Sequence, residues 1–397
     1  MADQTLPTNK VFINMTALRH NLREVKEIAG DRQIMAVVKA DGYGHGLVGC
    51  SMAFFQAGVD CLGVLEVCDG ITLREHGLSL PIHILGGLAS LDQVEPAIIH
   101  DLVVFANTPE QVRGLSEKAV ELGLTAKLHI KVDTGLGRHG LAQNQVEPFL
   151  REALKWPNIQ IQGLATQLAT FGDDQAHSQL KIFDDLCYKA NRLGLRYKDN
   201  NVLNSSGLTW HNGHPSPLVR VGLMLYGIRS GQEILPVRPD LRPAMTVLSR
   251  VTQVRGLSPG NTVGPGRSYV VQKPMRLAMV PFGYAHGLSR SRSGRGWVLI
   301  RGCRAPLVGM VSMSVTTYDV TDIPGVAAGD KVVILGRHTT EQINAVDLAA
   351  WSATTPYEIL TLLGRLNPRY IEGSDYEIYM KEGTAGMEWP TVAGLCP

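Results

Sequence analysis

From about residue 30 to 225, short apolar, β-branched runs alternate with longer stretches in which apolar residues recur every three or four positions. The runs IMAVVK (34–39), CLGVLEV (61–67), PIHILG (81–86), DLVVFA (101–106), KLHIKV (127–132), QGLATQ (162–167), NNVLN (200–204) and PLVRVG (217–222) read as strands. Stretches such as TPEQVRGLSEKAVELG and AHSQLKIFDDLCYKANRLG read as helices with one apolar face. About eight βα units in series predict an α/β fold, a (β/α)8 TIM-type barrel with its chemistry at the C-terminal strand ends. An open doubly wound sheet is the alternative.

After about residue 240 the texture changes to short runs rich in Val, Thr, Gly and Pro: MTVLSRVTQV, RLAMVPF, GWVLIRG, APLVGMVSM and KVVILG. These predict a C-terminal all-β domain. A domain division at 1–240 and 241–397 follows, since 397 residues exceed what one hydrophobic core usually serves. The early run KVFINM (about 10–15) reads as a strand able to join the β domain, and TPYEILTLLGRL near the end as a helix.

Composition narrows the function. Lys plus Arg number 38 against 36 Asp plus Glu, a net charge of +2 with both signs dispersed, so neither nucleic acid nor a membrane surface is an expected partner. No apolar run reaches the roughly 20 residues of a membrane helix, and the N-terminus has no secretory pattern. A soluble cytoplasmic protein is the expectation. The six cysteines (Cys50, Cys61, Cys68, Cys187, Cys303, Cys396) show no metal-ligand spacing, which predicts reduced thiols and no metal.

The most informative segment is AVVKADGYGHG (36–46), a buried-type strand ending in Lys39 and followed by a glycine-rich turn. A lysine there either snorkels to solvent or is held as the neutral amine that Schiff-base chemistry requires. Arg220 lies inside the apolar run PLVRVG, where a guanidinium needs a partner. Tyr284 sits in a GYAHG turn, where the plain reading is an aromatic packed beside a glycine bend.

AVVKADGYGHG closely resembles the cofactor-lysine motif of the alanine racemases, fold-type III pyridoxal-phosphate enzymes. The resemblance continues in order through KVDTGLGRHG (131–140), NSSG (204–207), VRVGLMLYG (219–227), VPFGYAHG (280–287), VGMVSM (308–313) and TPYEIL (355–360). It implies a barrel plus β domain and pyridoxal 5'-phosphate on Lys39. It also implies a homodimer with shared active sites, in which Lys39 and the partner subunit's Tyr284 are bases on opposite faces of a small amino acid. Tyr43, Asn204, Ser205, Gly222, Leu223 and Tyr357 match cofactor-binding positions, with hydroxyls and main-chain N–H groups suited to a phosphate. Arg220 matches the arginine facing the pyridine nitrogen, which would weaken the electron sink and favour racemisation over side reactions. Arg138 and the main-chain N–H of Met313 match substrate-carboxylate donors. Lys131 matches a lysine often carbamylated, whose anion would orient Arg138.

Three positions depart from the commonest pattern. Gln167 stands where a histidine usually links tyrosine to arginine, His286 where an aspartate is common, and Ser314 where an aspartate or asparagine is usual. The implied reaction is interconversion of L- and D-alanine, the latter a cell-wall precursor. Racemisation of serine or another small amino acid is the close alternative. A fold-type III decarboxylase commonly carries a carboxylate at the pyridine nitrogen, which Arg220 opposes. A non-catalytic pyridoxal-phosphate-binding homologue would keep the same lysine.

Overall fold

The computed structural model describes residues 7–195, 199–229 and 238–373. Cys396 and the rest of the segment beyond 373 lie outside the described residues. The described residues form two compact units, one within 18–42 and 47–242, the other within 7–17, 43–46 and 243–373.

The first unit is a parallel barrel. Strands Gln33–Val37, Cys61–Val64, Ile82–Ile84, Leu102–Ala106, Ala126–Asp133 and Ile159–Ala165 pair in sequence order. Leu218–Val221 pairs in parallel with Gln33–Val37, beginning Gln33 to Leu218. The gap between Ile159–Ala165 and Leu218–Val221 is bridged by 201–204, through isolated parallel bridges Ala165 to Asn201 and Asn204 to Arg220. The ring is thereby closed, which excludes the open-sheet alternative. The predicted strand NNVLN is thus present only as these two bridges. Its polar residues spend their side chains on capping and on Arg220 instead of on a regular ladder.

Barrel strands such as LVVFA and CLGV are buried at every position, as expected where one face meets the barrel interior and the other the helices. Met35, Cys61, Phe105, Ala165 and Leu218, from five strands, form one interior cluster. The helices are bounded by local chemistry. Thr108 caps Pro109–Leu122 by accepting from Gln111 N, Pro109 supplies the first turn, and Gly123 ends it at φ 66°. Asp173 caps Asp174–Arg192 through Ala176 N.

The second unit is built on an antiparallel sheet. Its strands run, neighbour to neighbour, Gln253–Leu257, Met275–Val280, Thr316–Asp319, Cys303–Val308, Trp297–Ile300, Lys331–His338, Met245–Arg250, Lys10–Asn14 and Arg369–Glu372. MTVLSR alternates between buried and half-exposed positions, the mark of a sheet with one covered face. Lys10–Asn14 pairs antiparallel with Met245–Arg250 and parallel with Arg369–Glu372. Helices Ala345–Ser352 and Pro356–Arg365 belong to the same unit.

Pro356–Arg365 carries Tyr357 and meets the loop 43–46 at Gly364, where a Cβ would run into the Gly44 carbonyl far inside contact distance. Only glycine allows this approach. Gly364→Ala is expected to destabilise the protein by about 1–3 kcal/mol, the usual range for overpacking, measurable as a lower midpoint of denaturant unfolding.

Candidate functional site

In the barrel unit, the strand bearing AVVK ends at Val37, and the chain then turns left-handed. Ala40, Asp41, Gly42 and Tyr43 all have φ between 53° and 58°. Three of these are not glycine, and each left-handed residue of that kind costs roughly 1–2 kcal/mol. The turn is held by Gly42 N donating to Val38 O at 2.8 Å. Asp41 Oδ1 accepts from Leu47 N, also at 2.8 Å, where the next helix begins. The glycine-rich sequence predicts a turn, but the left-handed conformation of Ala40, Asp41 and Tyr43 carries no composition signal.

Lys39 is half-buried at the start of this turn. Burial first, then the positive charges of Arg138 and Arg220, hold its amine below the ordinary lysine range. Lys131 is buried at the end of strand Ala126–Asp133, and its pKa is driven down further by burial, Arg220, Arg138 and Lys39, with Asp133 opposing. Its Nζ lies 5.7 Å from the Phe105 ring centroid. Arg138 is exposed, in a loop gathered around Asp133, whose carboxylate accepts from the N–H groups of Gly135, Leu136 and Gly137 at 2.9–3.2 Å. Burial raises the Asp133 pKa, but these bonds outweigh it and hold the carboxyl below its usual range.

Arg220 is buried and its pKa is pushed down to about 10 by burial, so it is still a cation at neutral pH. Both terminal nitrogens are saturated. Nη1 donates to the Asn201 carbonyl at 2.9 Å and to Asn201 Oδ1, while Nη2 donates to Thr166 O at 2.6 Å and Gln167 Oε1 at 3.1 Å. No described residue accepts from Nε. Asn201 Nδ2 faces His129 Nδ1 at 3.2 Å, and His129 packs on His83 with centroids 5.3 Å apart. Both histidines are fully buried and held neutral, His129 additionally by His83, Arg220 and Lys131. Asn201, His129 and His83 escaped the sequence reading, because an Asn or His in an apolar strand has no spacing that announces its partner.

Asn204 caps the helix Ser205–Trp210 through Gly207 N at 2.9 Å. Buried Ser205 accepts from Gly222 N at 3.1 Å, and Leu223 opens the turn that follows. Lys39, Lys131, Arg138 and Arg220 thus form one electrostatic group, with Gln167 bonded to Arg220 and Ser205 bonded to Gly222.

In the other unit, the Tyr43 and Tyr357 rings lie 5.9 Å apart, and burial raises both phenol pKa values, that of Tyr43 with a contribution from Tyr357. Tyr284 opens a single 3-10 turn and is 39 % exposed. The turn is tied to the Met313 segment by Tyr284 N to Ser312 O at 3.1 Å and Ala285 N to Met313 O at 2.9 Å. A Cβ at Gly283 would strike both of those carbonyls. His286 Nδ1 accepts from Gly283 N at 3.2 Å, so it is unprotonated there, and burial lowers its pKa. Asn367 holds the same turn through the His286 carbonyl at 2.9 Å. Met313 and Ser314 are exposed beside it. Among the described residues, no cluster of His, Cys, Asp and Glu could hold a metal ion, and no helix is long and apolar enough to cross a membrane. The five described cysteines are free.

Comparison with known proteins matches both units. Residues 13–230 match the family "Alanine racemase, N-terminal domain", and residues 244–371 the family "Alanine racemase, C-terminal domain". "Alanine racemase 2" of Caldanaerobacter subterraneus subsp. tengcongensis is 35 % identical over 394 residues, covering 96 % of this chain and all of that protein. The alanine racemase of Symbiobacterium thermophilum is 37 % identical over 365 residues, covering 91 % of this chain and 96 % of its own. The crystal structure of alanine racemase from D-cycloserine-producing Streptomyces lavendulae superposes with a TM-score of 0.88 at 30 % identity, covering 94 % of this chain and 99 % of that one. With both domains matched in order over nearly its whole length, this chain belongs to the alanine racemase family.

Proposed function

We propose that the protein interconverts L- and D-alanine with pyridoxal 5'-phosphate on Lys39, in a homodimer where Lys39 and the partner subunit's Tyr284 are the two bases. The observation that carries this reading is the lowered pKa of Lys39, held there by burial and by Arg138 and Arg220. An amine of that kind gives up its proton more readily than an ordinary lysine, which favours both imine formation and proton abstraction.

The residues present fit the cofactor. Arg220 has one donor, Nε, without an acceptor among the described residues, and a pyridine nitrogen is an acceptor of one hydrogen bond. Ser205 Oγ and the main-chain N–H groups of Gly222 and Leu223 suit a phosphate, as do the hydroxyls of Tyr43 and Tyr357, with Asn204 holding the helix that begins at Ser205. When bound, the cofactor supplies an electron sink that acidifies the substrate α-proton. Arg220, a cation at neutral pH, keeps the pyridine nitrogen unprotonated and so restrains that sink.

Arg138 and the N–H of the partner subunit's Met313 bind the substrate carboxylate. Lys39 Nζ takes the α-proton from one face, and the phenol oxygen of the partner subunit's Tyr284 delivers a proton to the other. The reverse direction exchanges the roles. Burial and the neighbouring cations push Lys131 toward the neutral amine, the form that adds carbon dioxide with loss of a proton to give a carbamate, and that single negative charge would orient Arg138. Gln167 receives a hydrogen bond from Arg220 and cannot titrate, so it passes no proton toward the tyrosine. Supply of D-alanine for the cell wall from a cytoplasmic enzyme is the physiological role that this reaction suggests.

Incubation of the purified protein with L-alanine in D2O tests the reading: α-deuteration and D-alanine should appear together, and kcat/KM across serine and other small amino acids should be lower. Lys39→Ala should abolish both reactions and the visible absorbance of the bound cofactor; an unchanged spectrum would remove Lys39 from that role. Tyr284→Phe should slow turnover of one enantiomer by about 10²–10⁴, and equal, mild losses for both would assign the second base elsewhere.

Gln167→His should introduce a new ionisation into the pH–rate profile; a profile identical to the parent's would show that position 167 does not reach the tyrosine.

Lys131 gives a prediction for stability. Its folded pKa is lowered, so between that value and the ordinary one the unfolded chain binds more protons, and stability rises with pH across the interval. In cofactor-free protein, Lys131→Met should flatten that rise by up to about 1.4 kcal/mol per pH unit, read by denaturant unfolding from about pH 7 to about pH 10. An unchanged slope would mean that Lys131 keeps an ordinary pKa.

A further inference from the structure

Arg292 closes the 3-10 turn Arg290–Arg292 in the β unit and is fully buried. Its guanidinium lies over the Trp351 indole, 4.9 Å from the ring centroid, and Nη2 donates to the Trp297 carbonyl at 3.1 Å. Its other donors, Nε and Nη1, have no acceptor, and among the described residues no carboxylate pairs with it. Two further buried donors in the same cluster share this condition, Trp297 Nε1 and Ser352 Oγ. The three residues belong to one packed cluster. The Trp297 and Trp351 rings touch with centroids 4.5 Å apart, and Ser291, next to Arg292, donates to the Ser352 carbonyl at 2.7 Å.

A guanidinium does not shed its proton as a lysine does, so burial alone cannot make this site neutral. Cation–π contact with Trp351 offsets part of the cost but provides no acceptor for the N–H groups. Arg292 Nε and Nη1 and Trp297 Nε1 can only donate, the unpaired hydroxyls of Ser352 and of Tyr318, which interacts with Arg292, can donate too, and among the described residues no carboxylate cancels the positive charge. Water could accept these hydrogen bonds without cancelling the charge. A monovalent anion does both. Two indoles around the cluster favour a weakly hydrated, polarisable ion over a strongly hydrated carboxylate or phosphate.

We propose that Arg292, Trp297 and Ser352 bind a single halide ion, chloride in ordinary buffers, as the structural counter-ion of the β unit. The ion fastens the segment after the Tyr284 turn to strand Trp297–Ile300 and to helix Ala345–Ser352. The proposal is independent of the reading of the reaction, and its test does not use activity.

The holoenzyme, dialysed free of halide, is titrated with sodium bromide at constant ionic strength against sodium gluconate while thermal unfolding is followed. Above the dissociation constant the melting temperature should rise by about 2 °C per tenfold increase in bromide. Arg292→Met, which replaces the charge by an apolar chain, should melt at a temperature independent of bromide. A flat response in the parent, or an equal response in the variant, overturns the proposal. Should Arg292→Met fail to fold, crystals of the parent grown in bromide decide: an anomalous peak within hydrogen-bonding distance of Arg292 Nε or Nη1 supports the site, and water or no peak there overturns it.

Discussion

The crowding of positive charge at one end of the barrel unit governs the rest of its chemistry. Lys39, Lys131, Arg138 and Arg220 act on one another electrostatically, and the one carboxylate acting on Lys131 is that of Asp133. Such a group cannot remain fully charged at low dielectric cost. The two residue types relieve the strain differently. The lysines lower their pKa values and can become neutral nucleophiles, while Arg220 keeps its charge and gathers four oxygen acceptors on its two terminal nitrogens. One electrostatic constraint thus yields lysines of lowered pKa and a fixed cation.

The fixed cation determines how the neighbouring polar groups are oriented. Because Asn201 Oδ1 accepts from Arg220, its Nδ2 is turned toward His129, so His129 Nδ1 must be the acceptor. Because Gln167 Oε1 also accepts from Arg220, Gln167 presents its amide N–H groups, not an acceptor, to whatever lies beyond. A histidine at 167 would have offered a titratable nitrogen in that place. The departure from the commonest family pattern therefore changes the direction of a hydrogen bond and removes a proton carrier, while leaving Arg220 anchored.

The fold was legible because burial on both faces and burial on one face leave different traces. Continuous apolar runs such as DLVVFA marked barrel strands, and alternating runs such as MTVLSR marked the antiparallel sheet. The strand at 200–204 was the weak point, since Asn201 and Asn204 serve side-chain bonds instead of a ladder. In the site, charged residues in apolar surroundings drew notice, Lys39 and Arg220 above all. What could not be read were groups whose role depends on orientation: the left-handed Ala40, Asp41 and Tyr43, the His83 and His129 pair, and Asn201. Their residue types are ordinary, and only the packing gives them partners.

Arg220 and Arg292 pose the same physical problem in two units and meet it in different ways. Arg220 sits where strand ends expose carbonyls, and main-chain oxygens of Thr166 and Asn201 take up its N–H groups without adding a formal charge. That leaves its positive charge uncancelled and, among the described residues, its Nε without an acceptor. Arg292 is enclosed by Trp297 and Trp351, whose ring faces accept its charge but not its hydrogen bonds. A single carbonyl, that of Trp297, does so directly. A cation lined with carbonyls is stable by itself, because its own bonds persist whether or not a ligand is bound. A cation lined with aromatic rings and unpaired donors depends on a resident counter-ion, because nothing in the protein replaces it.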